Sequence, residues 1–173
     1  MWSTFVGGTG GMGSGNINDI TLEGMMGTEV YGTGYYNASF PTTPGSYDQT
    51  FNGGDDVYVF KLNATGTALL WSTYVGGPGN EYGLGIIVKP PPGQLYITGY
   101  TTSAAFPTTP GVFGPVYGGG VSDAIYFGLS LTGDVLLAST FIGGSAEERG
   151  NEIHIDGAGI PYITGYTSSP NFP

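Results

Sequence analysis

The sequence predicts an all-β protein assembled from repeated antiparallel four-stranded units. Three observations predict it. The segment Leu69–Pro107 has a counterpart on either side: WSTFVGG (Trp2–Gly8), WSTYVGG (Trp71–Gly77) and ASTFIGG (Ala138–Gly144) head the copies, and YGTGYYNASFP (Tyr31–Pro41), YITGYTTSAAFP (Tyr96–Pro107) and YITGYTSSPNFP (Tyr162–Pro173) close them. A steady period of about 67 residues is the mark of a repeat architecture. The 34 glycines and 12 prolines are too many for a helical protein and follow no collagen period. Between them lie short runs rich in Tyr, Thr and Val, which suit strands joined by tight turns.

In the first unit, Trp2–Val6 alternates and predicts a strand, and Gly7–Gly15 is a connection. Asn18–Glu23 is a second short strand, Met25–Gly27 a turn, and Glu29–Tyr36 a third strand. Residues 37–54 form a long loop containing Phe40-Pro41-Thr42-Thr43-Pro44-Gly45, which the prolines hold in extended and turn conformations. Asp56–Leu62 is the fourth strand, and Asn63–Gly66 turns into the next head. The second unit repeats this with Leu69–Val75, Leu84–Val88, Gln94–Thr101 and Asp123–Leu131. Its Pro90–Gly93 turn keeps proline out of the strands, as sheet pairing requires. The third unit supplies Val135–Ile142, Asn151–Asp156 and Ile160–Thr167. That makes eleven strands, one short of three full units. In strand four the buried set is Tyr58, Phe60 and Leu62, aligned with Ile125, Phe127 and Leu129. The opposite positions are also fairly apolar, as expected for sheets packed between sheets.

Four antiparallel strands per repeat, with one long loop, is the pattern of a propeller blade. The units are residues 1–70, 71–137 and an incomplete 138–173, nearly three blades with the last strand missing. Trp71–Gly77, Tyr96–Thr101, Phe106–Gly111 and the GG-x-SDA run Gly119–Ala124 together resemble the bacterial SBBP repeats, of the seven-bladed propeller type, over essentially the whole chain. The resemblance implies a β-propeller-like fold and a secreted or cell-surface setting, and no defined activity. Ala138 in place of the head tryptophan and Gly32 in place of the isoleucine of Tyr-Ile depart from the pattern, with consequences for packing alone.

The formal charge is −10, and Lys61, Lys89 and Arg149 are the only cationic side chains. A phosphate backbone needs a basic footprint, so nucleic acid and anionic membrane surfaces are not expected partners. Without cysteine, disulfides, thiolate metal sites and cysteine nucleophiles are excluded. No apolar run approaches the roughly 18 residues of a membrane span. Met1 runs straight into a strand, so no signal peptide is visible. The last unit stops mid-way at Pro173, and the expectation is a piece of a longer protein.

No catalytic, cofactor-binding or metal residues are assigned. His154, the only histidine, alternates with Ile153 and Ile155, and its ordinary reading is a polar residue on a strand face rather than a base or ligand. Asp55/Asp56 and Glu147/Glu148 are adjacent along strands and point to opposite faces, so neither pair makes a glycosidase dyad. Asp56 and Asp123 recur at the start of strand four, where an Asp beside Gly-Gly caps a turn. Oxygen-rich stretches at Asn16–Asp19, Asn80-Glu81 and Glu147–Glu152 leave calcium as the one cofactor to consider, without a D-x-D-x-D-G spacing. Asn37-Ala38-Ser39 and Asn63-Ala64-Thr65 are formal glycosylation sequons, incidental in a bacterial protein. The 13 Tyr, 9 Phe and 2 Trp serve packing between blades or a sugar-stacking surface; their recurrence, as at Tyr31, Tyr96 and Tyr162, favours packing.

Fewer than three blades do not close a ring, and an open strand edge is a template for another chain. The expectation is therefore a non-enzymatic secreted or cell-surface structural or interaction protein. It would assemble as a homo-oligomer, or with other repeats of its parent chain, into a ring or filament. The alternative is a lectin-like, glycan-binding propeller module.

Overall fold

The computed structural model describes residues 14–23, 29–37, 40–89 and 93–173. These residues hold ten strands and no helix: β1 (Gly15–Leu22), β2 (Glu29–Tyr36), β3 (Asp56–Asn63), β4 (Leu69–Val75), β5 (Glu81–Val88), β6 (Gln94–Thr101), β7 (Asp123–Ser130), β8 (Leu136–Ile142), β9 (Glu148–Ile155) and β10 (Pro161–Thr167). The expected strand Trp2–Val6, the turn Met25–Gly27 and most of the Pro90–Gly93 turn lie outside the described residues. All pairing between strands is antiparallel, in three sheets ordered β1-β2-β3-β4, β5-β6-β7-β8 and β9-β10.

One expectation changes. Among the described residues the third sheet is short of a four-stranded sheet by two strands, not one, because β8 closes the second sheet. The Thr132-Gly133-Asp134 turn holds Gly133 at φ +73°, and the hairpin it makes keeps β8 on β7. Each four-stranded sheet thus takes three strands from one sequence unit and its last from the head of the next. Trp71 of β4 reaches across to this turn, where its indole N–H donates to the Leu131 carbonyl at 3.0 Å.

The sheets stack face to face. β1 lies against β5 and β5 against β9, and β9 also contacts β6 and β7. Val57, Val59, Tyr31 and Trp71 from the first sheet pack against Leu95, Ile97, Ile125 and Phe127 from the second. Tyr58, Phe60 and Leu62 point the other way, into a cluster with Phe40 and Tyr74. Both faces of β3 are therefore buried, which explains its unbroken apolar run.

A bulge recurs at one place in all three sheets. Asn18, Leu84 and Asn151 are the extra residues in β1, β5 and β9. It lets these strands begin three residues before the expected starts, carrying them across Gly83 and Gly150. Opposite it stands the glycine of the Thr-Gly-Tyr motif, Gly34, Gly99 or Gly165. A Cβ there would overlap the carbonyl oxygen of Asn16, Tyr82 or Arg149. Between the first two sheets the bulged stretch also supplies cross-links: Asn18 donates to the Gly83 carbonyl and the Ile86 N–H donates to Asp19, each at 2.8 Å.

The long loops protect the outer edges. Thr43 N–H donates to the Ser72 carbonyl and Tyr74 N–H to the Asp48 carbonyl, and Thr109 and Phe141 do the same on β8 through Ser139 and Gly114. The Phe-Pro-Thr-Thr-Pro-Gly segment thus lies along the last strand of its sheet and satisfies backbone groups that would otherwise stand open.

Gly99→Ala should lower stability by about 2–4 kcal/mol, since the overlap is with backbone and has no rotamer to escape into. Chemical denaturation measures it; a loss below about 0.5 kcal/mol would mean the bulge is not a close approach.

Candidate functional site

Two features stand out from the repeat frame: a buried pair of carboxyls at each junction between sheets, and an open groove beside β10.

Asp56 begins β3 and Glu81 begins β5, so the pair joins the first sheet to the second, and Asp123 with Glu148 joins the second to the third. All four are fully buried. Asp56 Oδ2 accepts the Asn52 N–H at 2.7 Å, and Asp123 Oδ2 accepts the Gly118 N–H at 2.6 Å, so each caps its own loop. Glu81 accepts from the Gly77 N–H at 2.8 Å and the Thr101 hydroxyl at 2.7 Å; Glu148 accepts from Gly144 and Thr167 at 2.7 and 2.8 Å. Asp56 Oδ1 and Asp123 Oδ1 are buried without a hydrogen-bond donor, and Asp56 Oδ1 stands beside the Glu81 carboxyl, where a proton held by either acid would satisfy it. Burial first, then nearby carboxylates, push Asp56 up to about 6; burial and the Asp56 charge push Glu81 up to about 7, against the donors that favour its anion. The second junction differs. Burial raises Asp123, but at Glu148 the hydrogen bonds from Ser169, Gly144 and Thr167 outweigh burial and hold it below the usual range.

The place of Glu81 and Glu148 at these junctions is what sequence reasoning missed, since it weighed them only as members of oxygen-rich stretches or of an adjacent pair. The signal was present: each glutamate stands at the same offset from its Gly-Gly as its counterpart does, one period apart. Looking for carboxylates adjacent in sequence hid it, because each pair is drawn from two different sheets. Asp55 and Glu147 belong elsewhere: Asp55 accepts from Tyr82, and Glu147 pairs with Arg149 at 2.6 Å.

The other candidates are distributed. His154 is exposed on β9 opposite Tyr162. Asn16–Asp19 lies within β1, and Asn80 accepts the Asp55 N–H at 3.0 Å. Among the described residues no three acidic or histidine side chains gather as a metal site. Asn63 turns its carbonyl to the Thr67 and Ala68 N–H groups, and the Asn37 sequon is only partly within the described residues. Tyr35, Tyr82 and Tyr100 form a ladder across the first two sheets, at 4.5 and 4.7 Å between rings, ended by the Arg149 guanidinium 4.5 Å over Tyr100. Rings that stack on one another offer few free faces to a sugar.

The groove lies on the third sheet. β10 pairs with β9 on one edge, and no described strand runs along the other. Beside that edge is a cavity of about 430 Å³, lined by Ala124, Ile142, Ile163, Gly165, Thr167 and Phe172 among others. The sequence YITGYT occurs in β6 and in β10, and its environment differs: Tyr96 is 7% exposed and Tyr162 58%. The same side chains that form core in the second sheet form surface in the third.

The chain matches no protein-family model, and no curated protein is significantly similar to it. The resemblance to SBBP repeats rests on the quoted motifs.

The carboxyl pair makes a pH prediction. Asp56 and Glu81 hold protons more tightly folded than unfolded, so their contribution is complete below about pH 4 and is lost as pH rises through about 6–7. The melting temperature should fall from pH 5 to 8, by several degrees, and Glu81→Gln should flatten that fall. A wild-type fall that Glu81→Gln leaves unchanged would show that the pair does not share a proton.

Proposed function

We propose that the chain is a non-enzymatic structural or interaction protein of the cell exterior. In this reading its sheets are blades of a β-propeller-like array, and it assembles through strand-edge pairing into a ring or filament. The observation that carries the reading is the contrast between β6 and β10: one sequence, buried where further strands and a further sheet cover it, exposed where they do not. An open edge next to apolar side chains is a pairing template. The last strands of the other two sheets are blunted by their loops, whereas the outer edge of β10 has no such loop among the described residues, and in this reading growth is directed there. The face-to-face stacking of sheets, with β1, β5 and β9 next to one another, supports the blade description. The setting outside the cell follows from the SBBP resemblance and from the acidic chain. Contacts from one end of the array to the other give rings if they close and filaments if they do not.

A glycan-binding role is the second reading, favoured by the exposed rings of Tyr162 and Tyr166.

Light scattering after size exclusion should find multiples of the 17.8 kDa chain or larger species. Tyr162→Lys with Tyr166→Lys should return the chain to monomer without lowering its melting temperature, since both rings are exposed. A wild-type monomer at all concentrations would overturn the assembly reading. Saturable binding on a glycan array that the same variant abolishes would favour the lectin.

A further inference from the structure

The repeats contain their own description of what the groove beside β10 accepts. β2 pairs with β3 and β6 with β7, in one register: Tyr36 faces Asp56, Gly34 faces Tyr58, Gly32 faces Phe60, and Thr101 faces Asp123, Gly99 faces Ile125, Ile97 faces Phe127. Carried onto β10, the first, third, fifth and seventh residues of a partner strand fall opposite Thr167, Gly165, Ile163 and Pro161. Those four residues all line the groove. In the internal copies the third, fifth and seventh positions are apolar, namely Tyr58, Phe60, Leu62 and Ile125, Phe127, Leu129, and all six are buried.

A second, independent mark is the Phe-Pro phenylalanine. Phe40 stacks on Tyr58 at 4.2 Å and is 5% exposed; Phe106 lies 6.1 Å from both Phe127 and Phe141 and is 3% exposed. Phe172 is their counterpart. It stands at the wall of the groove, 44% exposed. Tyr36 of the second strand also touches Phe40, but Tyr58, Phe127 and Phe141, the other rings packed on Phe40 and Phe106, belong to the third and fourth strands of a sheet, the two that the third sheet lacks among the described residues.

We propose that the groove beside β10 is an acceptor for one antiparallel strand of the class to which β3 and β7 belong, supplied by a further repeat unit. The inference rests on the edge-pairing reading above and names the partner at that edge. The strand begins with Asp opposite Thr167, directs its third residue toward Gly165, places an aromatic fifth residue beside Ile163 and Phe172, and ends its contact with a seventh-position Leu at Pro161. Its main chain supplies hydrogen bonds to the free edge, and its alternate side chains supply specificity. The Asp caps the loop that brings the strand in, as Asp56 and Asp123 do.

The test uses the full chain and a labelled peptide of residues 122–131, SDAIYFGLSL, with a Lys-Lys tail for solubility. Fluorescence anisotropy should show saturable binding at one peptide per chain, with amide shifts at Ile163, Gly165 and Phe172. Phe127→Asp in the peptide should weaken binding at least about tenfold, because the fifth side chain is buried in the groove. Tyr126→Ser in the peptide faces away and should change it by less than about threefold. Phe172→Ala in the protein should weaken binding while leaving the melting temperature unchanged. No saturable binding and no dissolution of assemblies by the peptide would overturn the proposal, as would equal binding of the Phe127→Asp peptide or shifts confined to other strands. If the chain assembles but ignores the peptide, for instance by pairing β10 with β10 of a second copy, edge pairing survives and this acceptor falls. If the peptide binds and the chain stays monomeric at every concentration, the acceptor stands and self-assembly falls.

Discussion

A β-strand has backbone donors and acceptors on both edges, and each edge must meet a strand, a loop or water. That constraint organises this chain. The inner pairings are made by hairpins, and the long loops after β2 and β6 are used to cover β4 and β8. Thr43, Asp48 and their counterparts Thr109 and Gly114 are loop residues that act as a partial fifth strand. Prolines in these loops keep them extended without asking for the donors they lack. Among the described residues no such loop lies along β10, whose outer edge, unlike those of β4 and β8, is left without a strand or loop partner.

The junctions between sheets follow from a second constraint, the scarcity of charge. The core is apolar on both faces of the sheets, and the polar groups inside it are tied to backbone: Thr33 to the Tyr58 carbonyl, Thr98 to the Ile125 carbonyl. The carboxyl pairs too accept backbone N–H groups, but they alone can carry charge, and their protonation differs with their surroundings. Glu81 lies between two four-stranded sheets and meets a neighbouring carboxyl; Glu148 lies at a sheet of two strands with more donors than desolvation can offset. The two glutamates, in the same repeat position, thus shift in opposite directions, while both aspartates are raised.

Much of the fold was legible because the chain states it more than once. Glu29–Tyr36, Leu69–Val75 and Gln94–Thr101 are strands at the bounds their alternation and turn residues indicate. The bulge was not legible, since Asn18, Leu84 and Asn151 share no property that marks an extra residue; its trace is on the opposite strand, in the glycine of Thr-Gly-Tyr. The assignment of β8 to the second sheet was hidden too. A sequence repeat has no natural starting point, and the heads at Trp71 and Ala138 are the most visible places to begin, although the hairpins give those strands to the preceding sheet. The acidic junctions were missed for a related reason: Asp56 finds Glu81 only after two sheets are stacked. Glu81 looked like one more oxygen in an acidic loop until its Thr101 and Gly77 donors were seen. No comparable sign in the sequence distinguishes β10 from β6; the difference is that no described strand runs along the outer edge of β10.

The most direct measurement is hydrogen exchange of the two YITGYT segments in one sample, since sequence and intrinsic exchange chemistry are shared and only surroundings differ. In dilute solution the amides of Tyr96–Thr101 should be protected on both edges, while alternate amides of Tyr162–Thr167 exchange orders of magnitude faster; raising the concentration should bring the second set toward the first. Equal protection of the two segments in a dilute monomer would mean that the edge of β10 is already satisfied, and would contradict the account.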